Sequence, residues 1–222
     1  MEKIMKNKLL TALFGIMVAL LILTVSIGLP IYVRQFYYIQ IDALDIERYS
    51  GFDKETIKEA YDEMIEYCTI PWAEFGTGEL KYSESGKSHF ADCKGLFLLN
   101  GAVLLISSIS VAALLVMRKL GIFELERPLG FDVTFYSGCG LLGTFALIAG
   151  VAAIDFSAAF VVFHTIFFPG KDNWMFDPRT DEIIRILPQD FFMNCAILIV
   201  SSIILLSLAF IIIGIVRKNK KA

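Results

Sequence analysis

Long apolar stretches alternate with polar segments along the whole chain. Four stretches contain no Asp, Glu, Lys or Arg, and each is long enough to cross a bilayer, which takes about 20 apolar residues. These predicted spans are Leu9–Val33, Gly95–Met117, Val133–Ile154 and Phe191–Val216. The pattern therefore predicts an integral membrane protein, mainly α-helical, with four transmembrane helices.

The first apolar stretch begins like a secretory signal, because Lys3, Lys6 and Lys8 precede it. The apolar region of a signal peptide is only about 7–15 residues long and ends at a cleavage site of small residues. Here the apolar run continues through Ile27-Gly28-Leu29-Pro30-Ile31 without an A-x-A pattern. We therefore expect a retained helix.

Basic residues flank the four spans unevenly, and the positive-inside rule places the Lys- and Arg-rich flanks in the cytoplasm. One set of flanks holds ten basic and only four acidic residues. The basic ones are Lys3, Lys6, Lys8, Arg118, Lys119, Arg127, Arg217, Lys218, Lys220 and Lys221. The other set holds ten basic and nineteen acidic residues. Both termini are thus expected in the cytoplasm (N-in/C-in), with a small extracellular cap.

This orientation divides the chain into seven segments. They are 1–33 (N-terminus and first span), 34–94 (cap segment), 95–117 (second span), 118–132 (cytoplasmic loop), 133–154 (third span), 155–190 (second extracellular segment) and 191–222 (fourth span and basic tail). The loop 118–132 is short and predicts a plain connector. Function is expected in the two extracellular segments, where the sequence is most varied.

The composition supports the membrane assignment. Apolar residues make up 56% of the chain and charged residues 19%, against about 45–50% and 25% in soluble domains. A net charge of −3 gives no sign of nucleic-acid binding, and 19 Phe with 8 Tyr argue against a disordered chain. The spans carry no ionisable acid or base, which argues against a charged transport pathway.

Residues 53–68 predict one amphipathic helix in the first extracellular segment. Asp53 is suited to cap its start, and Pro71 follows its end. Apolar side chains fall on a single face at helical spacing: Ile57, Tyr61, Met64, Ile65 and Cys68. Residues 74–88 contain three glycines, so loop or short strands are expected between 70 and 90.

The second extracellular segment contains an unusual density of aromatic residues. Asp155 is suited to cap a short helix that runs to Phe168 and ends at Pro169-Gly170. Eight Phe and Trp174 lie between 156 and 192. Aromatic residues commonly anchor proteins at the membrane interface, but rings around a titratable group also suggest a confined apolar site.

The chain has two histidines, His89 and His164, and the predicted topology puts both at the same extracellular level. Histidine suits general acid or base catalysis near neutral pH. A lone interfacial histidine is more often structural, so that alternative stays open for each of them.

Other site chemistries have less support. The sequence has no G-x-S-x-G, H-E-x-x-H or Walker motif, which leaves serine hydrolases, zincins and NTPases without a signature. A zinc site from His89, Asp92, His164 and Asp172 is conceivable, although H-x-x-D is a common spacing. Cys68 and Cys93 could pair if their face is oxidising. Cys139 and Cys195 lie in spans and suit packing.

Two stretches carry a resemblance to a known family. Residues 82–97, YSESGKSHFADCKGLF, match a Ser/Thr-Glu…His-x-x-Asp-x-Lys pattern, with Lys87-Ser88 in place of the usual Arg or Glu before the histidine. Residues 163–192, FHTIFFPGKDNWMFDPRTDEIIRILPQDFF, match the pattern F-H-x-x-F-F…D-x-W-x-F-D-P…D-x-x-I…P…F-F. With these motifs the chain resembles the bacterial lipoprotein intramolecular transacylases (Lit).

The resemblance implies a reaction at the extracellular face of the bacterial cytoplasmic membrane. The substrate would be a diacylglyceryl-modified lipoprotein with a free N-terminal amine. Its sn-2 acyl chain would move to that amine and give the lyso form. The family's catalytic pair of histidines corresponds to His89 and His164, and neither cofactor nor metal is implied.

Further residues are expected around this pair. Supporting or orienting roles fall to Asp92, Lys94, Asp172, Trp174 and Asp177, and the substrate pocket to Phe160, Phe163, Phe167, Phe168 and Phe176. Membrane lipids are the other expected partners. Two alternatives remain: a non-catalytic tetraspan protein that binds lipid or a partner through its acidic cap, and an interfacial lipid-ester hydrolase.

Overall fold

The structure is a computed structural model that describes residues 2–219. Lys220 and Lys221, which contribute to the predicted cytoplasmic charge, lie outside the described residues. The described helices are α1 (Glu2–Tyr32), α2 (Arg34–Ala43), α3 (Ile46–Ser50), α4 (Lys54–Thr69), α5 (Glu84–Lys119), α6 (Val133–Ala152), α7 (Phe156–Phe167), α8 (Ile183–Ile186) and α9 (Gln189–Asn219), with a 3₁₀ turn at Pro128–Gly130.

Four of these helices are long and apolar enough to cross a membrane. They are α1, α5, α6 and α9, and they contain the four predicted spans almost completely. The main difference is α5, which begins at Glu84 rather than near Gly95. At 36 residues it is about 54 Å long, whereas the hydrocarbon core is about 30 Å thick. Its polar first turns, before Gly95, therefore extend beyond the span.

Strands between 70 and 90 were expected as an alternative, and that expectation is wrong: residues 2–219 contain no strand. Side chains satisfy the backbone of this stretch instead, one of them local and two of them from other parts of the chain. Thr77 Oγ1 donates to the carbonyl of Leu80 over 2.8 Å, and the Gly78 N–H donates to Glu63 over 2.7 Å. The Lys81 N–H donates to Glu182 over 3.0 Å. Because these groups already have partners, they are not available for a strand ladder.

The chain forms two compact units. One consists of the described residues up to Ile27, Gly101–Gly150 and the described residues from Ile199. Small residues let its helices approach closely: a Cβ added to Gly138 would lie 2.8 Å from the carbonyl oxygen of Ser207. Its buried apolar cluster contains Phe14, Val18, Ile22, Leu114 and Phe123.

The other unit comprises Gly28–Asn100 and Val151–Leu198. In α4 the predicted cap is confirmed, because Asp53 accepts a 2.8 Å hydrogen bond from the Thr56 N–H. The predicted apolar face of α4 is buried. It packs on α2, where the rings of Tyr37 and Tyr61 stack with centroids 3.7 Å apart, and on α8.

Asp181 ties the segment after α7 to the start of α5. Its buried carboxylate accepts a 2.8 Å hydrogen bond from the Ser83 N–H and one from the Thr180 hydroxyl. It also accepts from the Ser83 hydroxyl, which lies 2.8 and 2.9 Å from the two carboxylate oxygens. Ser83 Oγ in turn accepts from the Gly86 N–H over 3.0 Å. This connection fixes the first turns of α5 against residues 168–181.

The predicted short aromatic helix is confirmed as α7. Asp155 caps it by accepting a 2.9 Å hydrogen bond from the Ala158 N–H. The helix ends at Phe167, just before Pro169-Gly170, and Gly170 takes the positive φ of 74° that glycine adopts readily.

Candidate functional site

His89 lies in the second turn of α5, before the apolar part of that helix. Only 5% of the residue is exposed. Two aromatic rings meet it edge to face, with centroid distances of 4.9 Å to Phe168 and 5.5 Å to Phe176. Its Nε2 atom lies 3.4 Å from the Cys93 thiol, one turn further along α5.

His164 lies near the end of α7 and is also buried, at 7% exposure. Its Nδ1 atom lies 2.7 Å from the carbonyl oxygen of Phe160. The ring stacks on Trp174 with centroids 4.4 Å apart, and Phe163 meets it edge to face at 5.4 Å. The predicted aromatic patch therefore surrounds a titratable side chain.

The two imidazoles are neighbours in the folded unit, although 75 positions separate them in the sequence. Their ring centroids lie 5.9 Å apart. Phe168 contacts both rings, His89 at 4.9 Å and His164 at 5.7 Å. This spacing leaves each ring its own hydrogen-bond partner and leaves both able to act on a single bound group.

Burial shapes the acid–base properties of both histidines. Burial and, to a smaller extent, the neighbouring His164 lower the pKa of His89 to about 4. Burial also lowers the pKa of His164, although the hydrogen bond to the Phe160 carbonyl opposes that shift. Both imidazoles are therefore neutral at pH 7, the form that can accept a proton.

A polar group borders His89. Lys171 donates a 2.5 Å charged hydrogen bond to Asp92, and the Asn173 amide nitrogen donates to the same carboxylate over 3.1 Å. Burial raises the pKa of Asp92, but the bonds from Lys171 and Asn173 together outweigh it and lower the pKa. Asp92 thus stays ionised and holds Asn173 beside the histidine.

The cysteines near the site are free thiols. Cys93 is not bonded to Cys68, whose thiol points at the carbonyl of Phe90 over 3.9 Å. Burial raises the pKa of Cys93 to about 12 and raises that of Cys68 as well. A protonated thiol is a poor nucleophile, so the geometry favours neither a disulfide nor a covalent acyl-cysteine.

The remaining predicted site residues lie in different surroundings. Lys94 donates to the Ala73 carbonyl over 3.1 Å, away from the histidines. Asp172 is exposed, and Asp177 pairs with Arg179 at 2.6 Å. Four of the five predicted pocket residues contact a histidine ring: Phe160, Phe163, Phe168 and Phe176. The fifth, Phe167, packs on Phe163 and is half exposed.

Three neighbours of the histidines were not predicted from the sequence: Lys171, Asn173 and Cys93. Lys171 and Asn173 lie within the 163–192 motif, but nothing in their spacing links them to His89. Cys93 follows His89 at i+4 spacing, which was the one signal in the sequence that could have identified a neighbour. As for the zinc alternative, residues 2–219 contain no group of three side chains placed to hold a metal ion.

Comparison with solved structures gives the same fold. The membrane-integral lipoprotein intramolecular transacylase Lit from Bacillus cereus, solved in meso, matches with a TM-score of 0.85 at 24% identity, over 97% of each chain. Two variants of that protein, with a histidine replaced by arginine or by alanine, match at a TM-score of 0.77 and 25% identity. These matches cover 97% of this chain and 93% or 95% of the other.

Comparison of the sequence agrees with the structural match. No curated protein matches the chain. The family described as "Lipoprotein intramolecular transacylase Lit" matches residues 12–192, which include both histidines, most of α1, all of α5 and α6, and the first turn of α9. The chain therefore belongs to the Lit family of lipoprotein intramolecular transacylases.

Proposed function

We propose that this protein moves the sn-2 acyl chain of a diacylglyceryl-cysteine lipoprotein to the α-amine of the same cysteine, with His89 and His164 as acid–base catalysts. The observation that carries the proposal is the pair of buried, neutral imidazoles with centroids 5.9 Å apart. Family membership supports the class of reaction and the lipoprotein substrate.

We assign the role of general base to His164. A carbonyl oxygen only accepts hydrogen bonds, so the 2.7 Å contact with Phe160 places the proton of the neutral ring on Nδ1. Nε2 then carries the free lone pair. As the amine nitrogen attacks the ester carbon, Nε2 takes a proton from that nitrogen.

The same imidazolium completes the transfer. When the bond between the acyl carbon and the glyceryl oxygen breaks, His164 returns its proton to that oxygen. The products are an N-acyl amide and a free glyceryl hydroxyl, so the atoms and protons of the neutral amine balance without water or a covalent enzyme intermediate. The part that His89 takes depends on which of its nitrogens carries the proton.

The aromatic surroundings suit an intramolecular reaction. The amine and the ester belong to one substrate, so the main task is to hold them in a cyclic arrangement, and orientation can supply about 7–11 kcal/mol of the barrier. Phe168 and Phe176 cover His89, while Trp174 covers His164. Excluding water there would protect the ester from hydrolysis.

We further propose that the active site faces outward from the bacterial cytoplasmic membrane. The ten basic residues in the N-terminal flank, the loop 118–132 and the C-terminal flank favour the N-in/C-in topology. His89 lies in the part of α5 that precedes Gly95, which in this topology would be the extracellular end of that span. Diacylglyceryl lipoproteins and membrane lipids are the proposed partners.

Tandem mass spectrometry of a lipopeptide tests the reaction. The purified protein is incubated with a diacylglyceryl lipopeptide, and the lipidated N-terminus is fragmented, because substrate and product are isomers of equal mass. We expect an N-acyl amide and a monoacylglyceryl thioether, both absent with His164→Ala. Free fatty acid and a lighter peptide would indicate a hydrolase instead. Unchanged substrate with a folded protein would favour the binding protein.

A further inference from the structure

Two buried atoms in the site have no hydrogen-bond partner in the described structure: Nδ1 of His89 and Oδ1 of Asn173. Buried polar atoms are rarely left unpaired, so each of them needs an explanation. Apart from these two, Ser207 Oγ is the one such side-chain atom among residues 2–219, and it belongs to the other unit. The two unpaired atoms of this unit belong to neighbouring side chains, because Asn173 approaches Ser88, the residue before His89, and its amide acts on the His89 ring.

The orientation of the Asn173 amide is fixed from its other side. Its Nδ2 atom donates to Asp92 over 3.1 Å and approaches the Ser88 hydroxyl at 3.5 Å. An ionised carboxylate accepts and cannot donate, so the amide nitrogen must face Asp92. Lys171 holds that carboxylate in place with its 2.5 Å bond. Oδ1 consequently lies on the opposite side of the amide, where it can only accept.

We propose that Asn173 is a positioning residue that keeps His89 as the tautomer with its proton on Nδ1. A hydrogen bond from Nδ1–H to Oδ1 would give both orphan atoms a partner. The influence of the Asn173 amide on His89 agrees with this, since it raises the pKa of the ring against the larger effect of burial. Lys171, Asp92 and Asn173 together then set the chemistry of His89.

This tautomer gives His89 a definite role, which rests on the proposed function. With the proton on Nδ1, the lone pair lies on Nε2, where the protonated Cys93 thiol contacts it at 3.4 Å. A thiol is a weak donor, so an amine N–H can replace it. His89 is then a second base rather than a donor to the departing oxygen.

Two bases are as many as an ammonium substrate needs, because two protons must leave its nitrogen. The α-ammonium group must lose one proton to become a nucleophile and a second one as the amide bond forms. His89 removes the first and passes it to solvent. His164 takes the second and delivers it to the glyceryl oxygen, so the overall reaction releases one proton from the ammonium form.

Nitrogen NMR of the substrate-free protein tests the tautomer without reference to activity. The chain contains only two histidines, so ¹⁵N-histidine labelling with a histidine-free purification tag gives two imidazole spin systems. His164→Asn identifies which signals belong to His89. At pH 7 we expect both rings to show a protonated Nδ1 and an unprotonated Nε2. A His89 ring protonated on Nε2 would overturn the proposal.

Variants of Asn173 separate positioning from general damage. Asn173→Ala should move the His89 proton to Nε2, the form that free histidine prefers, while the His164 signals stay unchanged because Phe160 still binds its Nδ1. Asn173→Asp should raise the NMR-measured pKa of His89, since a carboxylate would then face Nδ1–H. Met175→Ala, at an exposed position of the same segment, is the matched control. An unchanged His89 tautomer in Asn173→Ala would contradict the proposal, whether or not the protein proves to be a transacylase.

Discussion

The Nδ1 atom of His164 and the carbonyl oxygen of Phe160 lie 2.7 Å apart, one helical turn from each other in α7. The contact fixes both the rotation of the ring and the position of its proton. A carbonyl oxygen has two lone pairs, so Phe160, inside α7, can accept from the ring as well as from the helix backbone. The local structure of a 12-residue helix thus prepares the nitrogen that we propose as the base.

Replacing the base should abolish activity without unfolding the protein. His164→Asn retains an N–H that can donate to Phe160 but removes Nε2, so we expect kcat to fall by about 10²–10⁴-fold with little change in Tm. His89→Gln should give a loss of the same order. Full activity in His89→Gln would contradict the two-histidine mechanism. Product formation by mass spectrometry and thermal unfolding in detergent are the measurements.

A methyl group at Gly86 should disturb the site through its contacts with Asp181 and Phe176. A Cβ there would lie 2.1 Å from Oδ1 of Asp181 and 3.0 Å from the Phe176 ring. Overpacking of this kind costs about 1–3 kcal/mol, and Phe176 contacts His89 directly. We therefore expect Gly86→Ala to lower both Tm and kcat.

Gly95→Ala provides the control for this prediction on the same helix. A Cβ at that position meets no atom within 4 Å, and Ala is the better helix former. Its Tm should be equal to or slightly above that of the wild type. Equal behaviour of the two variants would show that the space around Gly86 does not constrain the site.

Removing the Asp181 carboxylate should release the segment that carries Trp174 and Phe176. Asp181→Ala removes the acceptor for Ser83 and Thr180, and hydrogen bonds to charged groups contribute about 1.5–3 kcal/mol each. We expect a lower Tm and faster hydrogen exchange in residues 170–182. Glu79→Gln, at an exposed position, should change neither. Wild-type exchange rates in Asp181→Ala would argue against the connection.

Sequence reasoning succeeded where the signal is local. Continuous apolar runs predicted the four long helices, because the absence of charge over about 20 residues is a strong pattern. Asp53 and Asp155 predicted helix starts correctly, since an N-cap depends only on the next few residues. Helical spacing likewise predicted the buried face of α4.

Sequence reasoning failed where partners are distant in the chain. Asp181 reaches Ser83 across 98 positions, and Lys171 reaches Asp92 across 79, so neither contact leaves a pattern within one segment. The irregular path from 70 to 83 has the same cause, because Glu63 and Glu182 satisfy its backbone from elsewhere. The start of α5 at Glu84 was missed because its polar first turns do not resemble a span.

Replacing Cys93 tests whether the acyl chain is bound covalently to the enzyme during the transfer. Its thiol touches Nε2 of His89 at 3.4 Å, an arrangement that superficially suggests a nucleophile and base. Burial raises the pKa of the thiol to about 12, however, so it stays protonated at neutral pH. Cys93→Ala should keep kcat within about tenfold of the wild-type value, since direct transfer needs no thiol. Loss of all activity in a folded Cys93→Ala protein would instead favour an acyl-cysteine intermediate.

The pH dependence of the reaction should follow the protonation of the substrate amine rather than that of the two histidines. Burial lowers the pKa of His89 to about 4 and lowers that of His164 below its ordinary value, so neither ring gains a proton near pH 6.5, where an ordinary histidine would. An α-amino group has a pKa of about 7.7–8.0. Below about pH 7.5, kcat/KM should therefore fall about tenfold per pH unit with no second break near pH 6.5, as expected for the protonation of a single group, the substrate amine.

Steady-state kinetics with a diacylglyceryl lipopeptide in mixed micelles measure this slope, and circular dichroism over the same range checks that the fold is intact. An ordinary histidine, with a pKa of about 6.5, would add a second break and steepen the fall to about a hundredfold per unit below it. Such a break in the wild type would show that at least one catalytic imidazole is not held neutral by burial. In Asn173→Asp the break should appear, because the new carboxylate would raise the pKa of His89 into the measured range.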